Sequence, residues 1–223
     1  MNTNISGLWA SKVMDLTEAG DGVPPSAMNL GFLVREAAAA LPGALKEADS
    51  IKGNISLTPD AREVQAYKHV NNAMARAQEN IMGKLEELTE EVELDRKRLA
   101  QSERMNDDER SIAAEVRNHL RSLDAADRPG YLRSAADKGH VGVLRAILAA
   151  PAEITGLSDL AYSNTRKSLH KLVDPEPLAR IDRATEITGH ALEFLKSVDK
   201  AVGNYKTPRV SMLLEAAAAL PSA

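Results

Sequence analysis

The chain holds 223 residues, 43% hydrophobic and 27% charged, with a formal net charge of -4. That balance suits a globular protein able to bury a core, and it excludes both a disordered chain and one that grips phosphates through a general basic field. Cysteine is absent, which excludes disulfides, zinc–thiolate sites and thiol nucleophiles.

Alanine and leucine do most of the apolar work, as in helix-on-helix packing. Ile5, Leu8, Trp9, Val13 and Leu16 fall at helical spacing and predict an amphipathic helix over 5–19, with Lys12 and Asp15 off the stripe. Trp9 invites membrane contact by this helix. Membrane-surface helices are usually more basic, so docking on a neighbouring helix is the expectation. The opening Met1-Asn2-Thr3-Asn4-Ile5 lacks the basic-then-apolar pattern of a signal peptide. No apolar run reaches the roughly 18 residues of a transmembrane helix.

Gly20 to Pro25 breaks the chain, and Ser26 then caps a helix that Pro42-Gly43 stops at Leu41. A short turn or helix reaches Ser50, and Gly53-Asn54 breaks it. Thr58-Pro59 is the clearest start signal, a capping hydroxyl before a proline at the first helical position. From there to about Glu103 the only glycine is Gly83 and no further proline occurs. Such a helix would measure roughly 65–70 Å at about 1.5 Å per residue. Asn106-Asp107-Asp108-Glu109 opens another helix to Leu123, with acidic residues that suit its dipole. The two form a predicted αα-hairpin in which Ile112, Val116, Leu120 and Leu123 cover the Leu88–Leu99 end. After a linker at 124–128, Pro129 opens a helix to Gly139, and a second runs from His140 to Ala150. Helices over 159–173 and 176–202 follow, the latter after Asp174-Pro175 and ended by Gly203-Asn204. Thr207-Pro208 opens a last helix to Leu220. No long alternating run occurs, so no sheet is predicted.

With Val64 at position a, heptads place Val64, Asn71, Gln78, Leu85, Val92 and Leu99 at a. The d positions are Tyr67, Met74, Ile81, Leu88, Asp95 and Ser102. Glu63/Lys68, Glu91/Arg96 and Arg98/Glu103 set opposite charges at the g-to-e spacing used between parallel strands. Asn71 at a is the kind of polar residue that fixes register. The expectation is a coiled-coil interface between copies, made by these a residues with Tyr67, Met74, Ile81 and Leu88. An intrachain bundle explains the same stripe.

Glu86, Glu87, Glu90 and Glu91 form an acidic run that usually means a solvated helix face. Glu86/Glu90 and Glu87/Glu91 repel at i,i+4, which makes the run a candidate patch for a basic partner. Arg166, Lys167, His170 and Lys171 cluster near a helix C-terminus, where cations offset the dipole. Arg166, Lys167 and Lys171 are the chain's candidate phosphate contact. His119 and His190 each follow a glutamate by four residues, whereas di-iron bundles need Glu and His three apart, twice. No metal, cofactor or catalytic residue is therefore expected. Gly139-His140-Val141-Gly142 lacks flanking strands and reads as a helix–helix turn. Glu36-Ala37-Ala38-Ala39-Ala40-Leu41-Pro42 recurs as Glu215-Ala216-Ala217-Ala218-Ala219-Leu220-Pro221, as two docking helices or as an alanine-rich coincidence.

Ala135-Ala136-Asp137-Lys138-Gly139-His140, with Val143 and Ile147-Leu148, resembles the helix-turn-helix half of one ankyrin repeat, without a neighbouring repeat to cover it. Over Tyr131–Ser158, the runs Ala146-Ile147-Leu148-Ala149-Ala150-Pro151 and Thr155-Gly156-Leu157-Ser158 resemble small helical proteins encoded among the structural genes of tailed bacteriophages. That resemblance implies a virion or morphogenesis component and carries no catalytic residues.

The sequence thus predicts an all-α fold, with a long helix or αα-hairpin over about 59–123 and a C-terminal multi-helix bundle. Its expected divisions are 1–55, 58–123 and 129–223. Its expected function is non-enzymatic structural assembly in a virion or host cytoplasm, with itself and other structural proteins as partners and nucleic acid not the main one. A cytosolic adaptor or chaperone-like module is the alternative, ahead of a helical-bundle enzyme.

Overall fold

The computed structural model describes residues 3–18, 20 and 22–218. Its described residues form ten helices and no strand. The helices are α1 Thr3–Glu18, α2 Pro25–Gly53, α3 Pro59–Ser102, α4 Asp107–Ser122, α5 Arg128–Asp137, α6 Val141–Leu148, α7 Ala152–Thr155, α8 Asp159–Val173, α9 Pro175–Gly203 and α10 Pro208–Ala218. The fold is all-α, as the composition predicts. The Ile5 side chain, and Ala219, Leu220 and Pro221 of the second alanine-rich repeat, lie outside the described residues.

The chain divides into two compact units. Unit 1 is Met1–Glu91 with Arg183–Ala223, and unit 2 is Val92–Asp182. Both boundaries fall inside helices, α3 and α9. Compactness therefore does not follow the loop-based divisions 1–55, 58–123 and 129–223, because breaks in helicity are not breaks in packing.

In unit 1, α1 packs on α2. Val13 of α1 and Leu30, Val34, Ala37 and Leu41 of α2 are buried. The two helices come close at Gly31, where an added Cβ would collide with the Thr17 side chain. α2 runs on through Pro42 instead of stopping at Leu41. Burial is the reason: Ala44 and Ala48 continue its interior stripe, while Pro42 and Gly43 stand exposed. The helical bond that Pro42 cannot donate is lost on the solvent side, where water can replace it. Nor does Ser26 cap α2; its hydroxyl donates to Glu91 Oε2 at 3.0 Å instead. Thr58 does act at the start of α3, its Oγ1 accepting from the Ala61 N–H at 3.3 Å.

Along α9, Ala184, Ile187, Ala191, Phe194 and Val198 are buried at helical spacing. Tyr205, in the link to α10, donates to Asp49 Oδ1 at 2.7 Å, with the Leu45 carbonyl at 3.2 Å. Burial and the adjacent Asp49 push its phenol up to about 12, so it stays a donor that ties this link to α2.

In unit 2, α4 starts with a reciprocal cap. Asn106 Oδ1 accepts from the Glu109 N–H at 2.8 Å, and Glu109 Oε2 accepts from the Asn106 N–H at 2.9 Å. Leu120 then joins Leu132, Ile147 and Leu157 in one core, with Val116 and Leu123 packed against it. The apolar side of α4 therefore serves α5, α6 and α8, and Ile112 is left 45% exposed. Ala135, Leu144, Leu148 and Leu169 form a second core. The α5–α6 turn passes through Gly139 at φ 68°, in the left-handed region. The four-residue α7, absent from the sequence reading, ends at Gly156, whose φ is 71° and whose carbonyl accepts from Arg128 at 2.6 Å.

Continuity of α2 makes Pro42→Ala informative. The substitution restores one helical donor, so chemical denaturation should show a gain of about 1–3 kcal/mol. No gain would mean that α2 breaks at Leu41.

Candidate functional site

The predicted interface on α3 is interior to the single chain. Ile81 and Leu88 are 0% and 1% exposed, and Met74, Leu85 and Leu99 are buried too. Gln78 and Val92 are half-buried. Toward the N-terminus the buried positions are Ala66 and Val70, whereas Val64, Tyr67 and Asn71 are half-buried. Asn71 Oδ1 accepts from the Tyr67 hydroxyl at 3.3 Å within the same helix. The order 66, 70, 74, 81, 85, 88, 99 keeps to the 3.6-residue repeat of a straight helix, not the 3.5 of a supercoil. Ala66 and Val70 were missed because a strict heptad template drifts by about 20° per repeat against a straight helix.

The flanking charges agree with an internal stripe. Glu63 accepts from Thr207, Glu91 from Ser26, and Arg96 pairs with Glu93. Arg98 Nε lies 2.6 Å from Asp174, and Glu103 is held by Arg166 and His170. Five of the six charges expected to bridge two strands are thus engaged within one chain. A seam between copies needs this stripe uncovered, and here it is covered.

The densest polar cluster lies in unit 2. Glu103 Oε1 sits 2.9 Å from both Arg166 Nε and His170 Nε2. His170 is buried and Arg166 half-exposed; Arg166 also lies over the Tyr162 ring at 5.2 Å. Burial raises the Glu103 carboxyl, but the His170 hydrogen bond and the Arg166 charge outweigh it and hold the group below its ordinary 4.5. Arg166 is therefore spent on Glu103, which weakens it as a phosphate contact. Lys167 and Lys171 stand exposed beside it. Two further clamps work alike. Arg145 reaches the Ser102 carbonyl at 2.8 Å and Glu109 at 3.0 Å; Arg180 Nε reaches Asp95 at 2.8 Å.

On the acidic run, Glu86, Glu87 and Glu90 are exposed and Glu91 half-buried. Lys84 lies 2.6 Å from Glu87. Trp9 is half-buried and stacks on His190 at 5.4 Å, with Lys12 Nζ 4.5 Å from its ring. His119 meets Tyr131 edge-on. Among the described residues, no three His, Asp or Glu side chains gather as a metal site requires, and no helix is long and apolar enough to cross a membrane.

One hollow of about 370 Å³ opens in unit 2 between α5 and α8. Leu132, Arg133 and Ala136 line it from α5, and Leu160, Ala161 and Asn164 from α8. Two hydroxyls at its wall are committed: Ser158 accepts from the Ala161 N–H, and Thr165 donates to the Ala161 carbonyl. The small residues Ala161, Thr165 and Ser168 follow one another at helical spacing on α8, facing Ala136 of α5 across the hollow, but small residues alone do not tell a groove from a packed face. No protein-family profile, curated protein or solved structure matches the chain.

Glu103→Gln should lower stability by about 1–3 kcal/mol, since it strips a buried histidine of its anionic partner. The folded carboxyl titrates below its unfolded value. Its contribution is therefore complete above that unfolded value and fades as the pH falls through the folded one. The stability gap between wild type and variant, read by denaturant titration, should narrow below pH 4.5. Leu88→Ala should cost about 2–5 kcal/mol without changing the mass in solution, as a core deletion does.

Proposed function

We propose that the chain is a non-enzymatic structural or assembly protein that associates with copies of itself and with other structural proteins through helix faces. The observation that carries this reading is the apolar surface outside the core: Met28 and Phe32 on α2 are 53% and 56% exposed, Leu160 on α8 is 72% and Met212 on α10 is 70%. Single exposed apolar residues are ordinary, but pairs on one helix face mark contact surfaces. The half-buried charges support the same reading, since Glu103, Arg145 and Arg180 are each used to hold helices together. The likeness of residues 131–158 to helical proteins among tailed-phage structural genes supports a virion or morphogenesis component.

A second reading is an adaptor or chaperone-like module that holds a basic partner on α3. Its support is the exposure of Glu86, Glu87 and Glu90 and the concentration of charge. The two segments of unit 1 carry 17 acidic against 13 basic residues, while unit 2 is neutral.

Light scattering on the full chain across the micromolar range tests the leading reading, which expects a mass above one chain that rises to a plateau or keeps growing. A single-chain mass throughout would overturn self-association. Because the stripe is internal, Leu85→Asp with Leu88→Asp should abolish helical circular dichroism at a mild temperature and not merely release folded monomers.

A further inference from the structure

We propose that the α5/α8 groove of one copy receives the Met28–Phe32 face of α2 from a second copy. This rests on the self-association reading and names the surfaces that perform it. The groove follows two helix faces. Leu132, Arg133, Ala136 and Asp137 lie along α5, and Ala161, Asn164 and Ser168 along α8. The α8 set steps by three and four residues and spans about two turns, roughly 11 Å, while the α5 set forms two pairs one turn apart, 132/136 and 133/137. Met28 and Phe32 are one turn apart, about 6 Å, on a single face of α2. Two large side chains so spaced fit a groove of that length and of about 370 Å³.

The chain has two phenylalanines, and their fates differ. Phe194 is 0% exposed, whereas Phe32 is 56% exposed. Burying a solvent-facing aromatic residue is the usual source of an interface hot spot. Leu160, 72% exposed at the groove's mouth, adds apolar surface for it to meet.

Charge orients the partner in the groove. Glu36 lies one turn beyond Phe32 on the same exposed face, and Arg133 lines the groove; neither has an ion-pair partner among the described residues. A carboxylate one turn from the inserted aromatic and a guanidinium on the receiving wall complement each other. The two surfaces differ and sit in different units, so the contact is head-to-tail. A pair joined by one such contact still offers one free face and one free groove, through which a ring can close or a filament extend.

Light scattering and sedimentation on single and mixed variants test this. Phe32→Asp disables the face, and Leu160→Asp with Arg133→Glu disables the groove. All three positions are exposed, so circular dichroism and Tm should match wild type. Each variant alone should stay monomeric where wild type assembles, with the dissociation constant raised at least about tenfold. An equimolar mixture retains one working face and one working groove, and it should stop at a dimer. Glu36→Arg should recover the assembly lost by Arg133→Glu. Variants that assemble like wild type would overturn this contact and leave self-association standing. A mixture that remains monomeric would also overturn the contact. Wild type that is monomeric throughout would overturn both.

Discussion

A helix of 44 residues with a single apolar stripe must have that stripe covered from end to end, and most of the fold answers this requirement. α3 is too polar on its other faces to be a core element all round. Within unit 1, α2, α9 and the Thr207 turn reach it through Ser26 to Glu91, Asp199 to Gln78 and Thr207 to Glu63. Within unit 2, Arg180, Asp174 and Arg145 hold its last turns. Alanine-rich helices suit the task, because small side chains let a neighbour approach the stripe closely.

The ionic contacts have a different role from the apolar ones. Half-buried pairs such as Arg145–Glu109 and Arg180–Asp95 contribute little net energy, since desolvation offsets attraction. They do dictate direction. Glu103 accepts from two groups of α8 at once, and Arg145 binds the last residue of α3 and the first turn of α4 together. Each clamp selects one rotation of a helix about its axis, which a slippery Ala/Leu surface would not do alone.

Much of the fold was legible because it rests on local chemistry. Thr58-Pro59 and Asn106-Asp107-Asp108-Glu109 marked helix starts through backbone N–H groups that need a partner close in sequence. Pro42 misled because its local preference was outweighed by burial of Leu41, Ala44 and Ala48, which depends on residues far along the chain. The interface residues were found as a stripe, yet their use was misread. Periodicity shows that Leu85 and Leu88 must be covered and not by which chain, and the partners of the flanking charges Arg98 and Glu103, namely Asp174 and His170, lie about 70 or more residues away. The α5/α8 groove was unread for a related reason: Ala136 and Ala161 look alike whether they line a hollow or fill a core.

The interrupted layout of unit 1 has a consequence at the ribosome. Unit 2 is one uninterrupted stretch and is complete in sequence once Asp182 has emerged. Unit 1 lacks Arg183–Ala223 until synthesis of those residues ends. At about 5–20 residues per second, that leaves α1, α2 and most of α3 for several seconds without the α9 residues Ile187, Phe194 and Val198. Unit 2 is thus complete in sequence while the first segment of unit 1 still waits for its second.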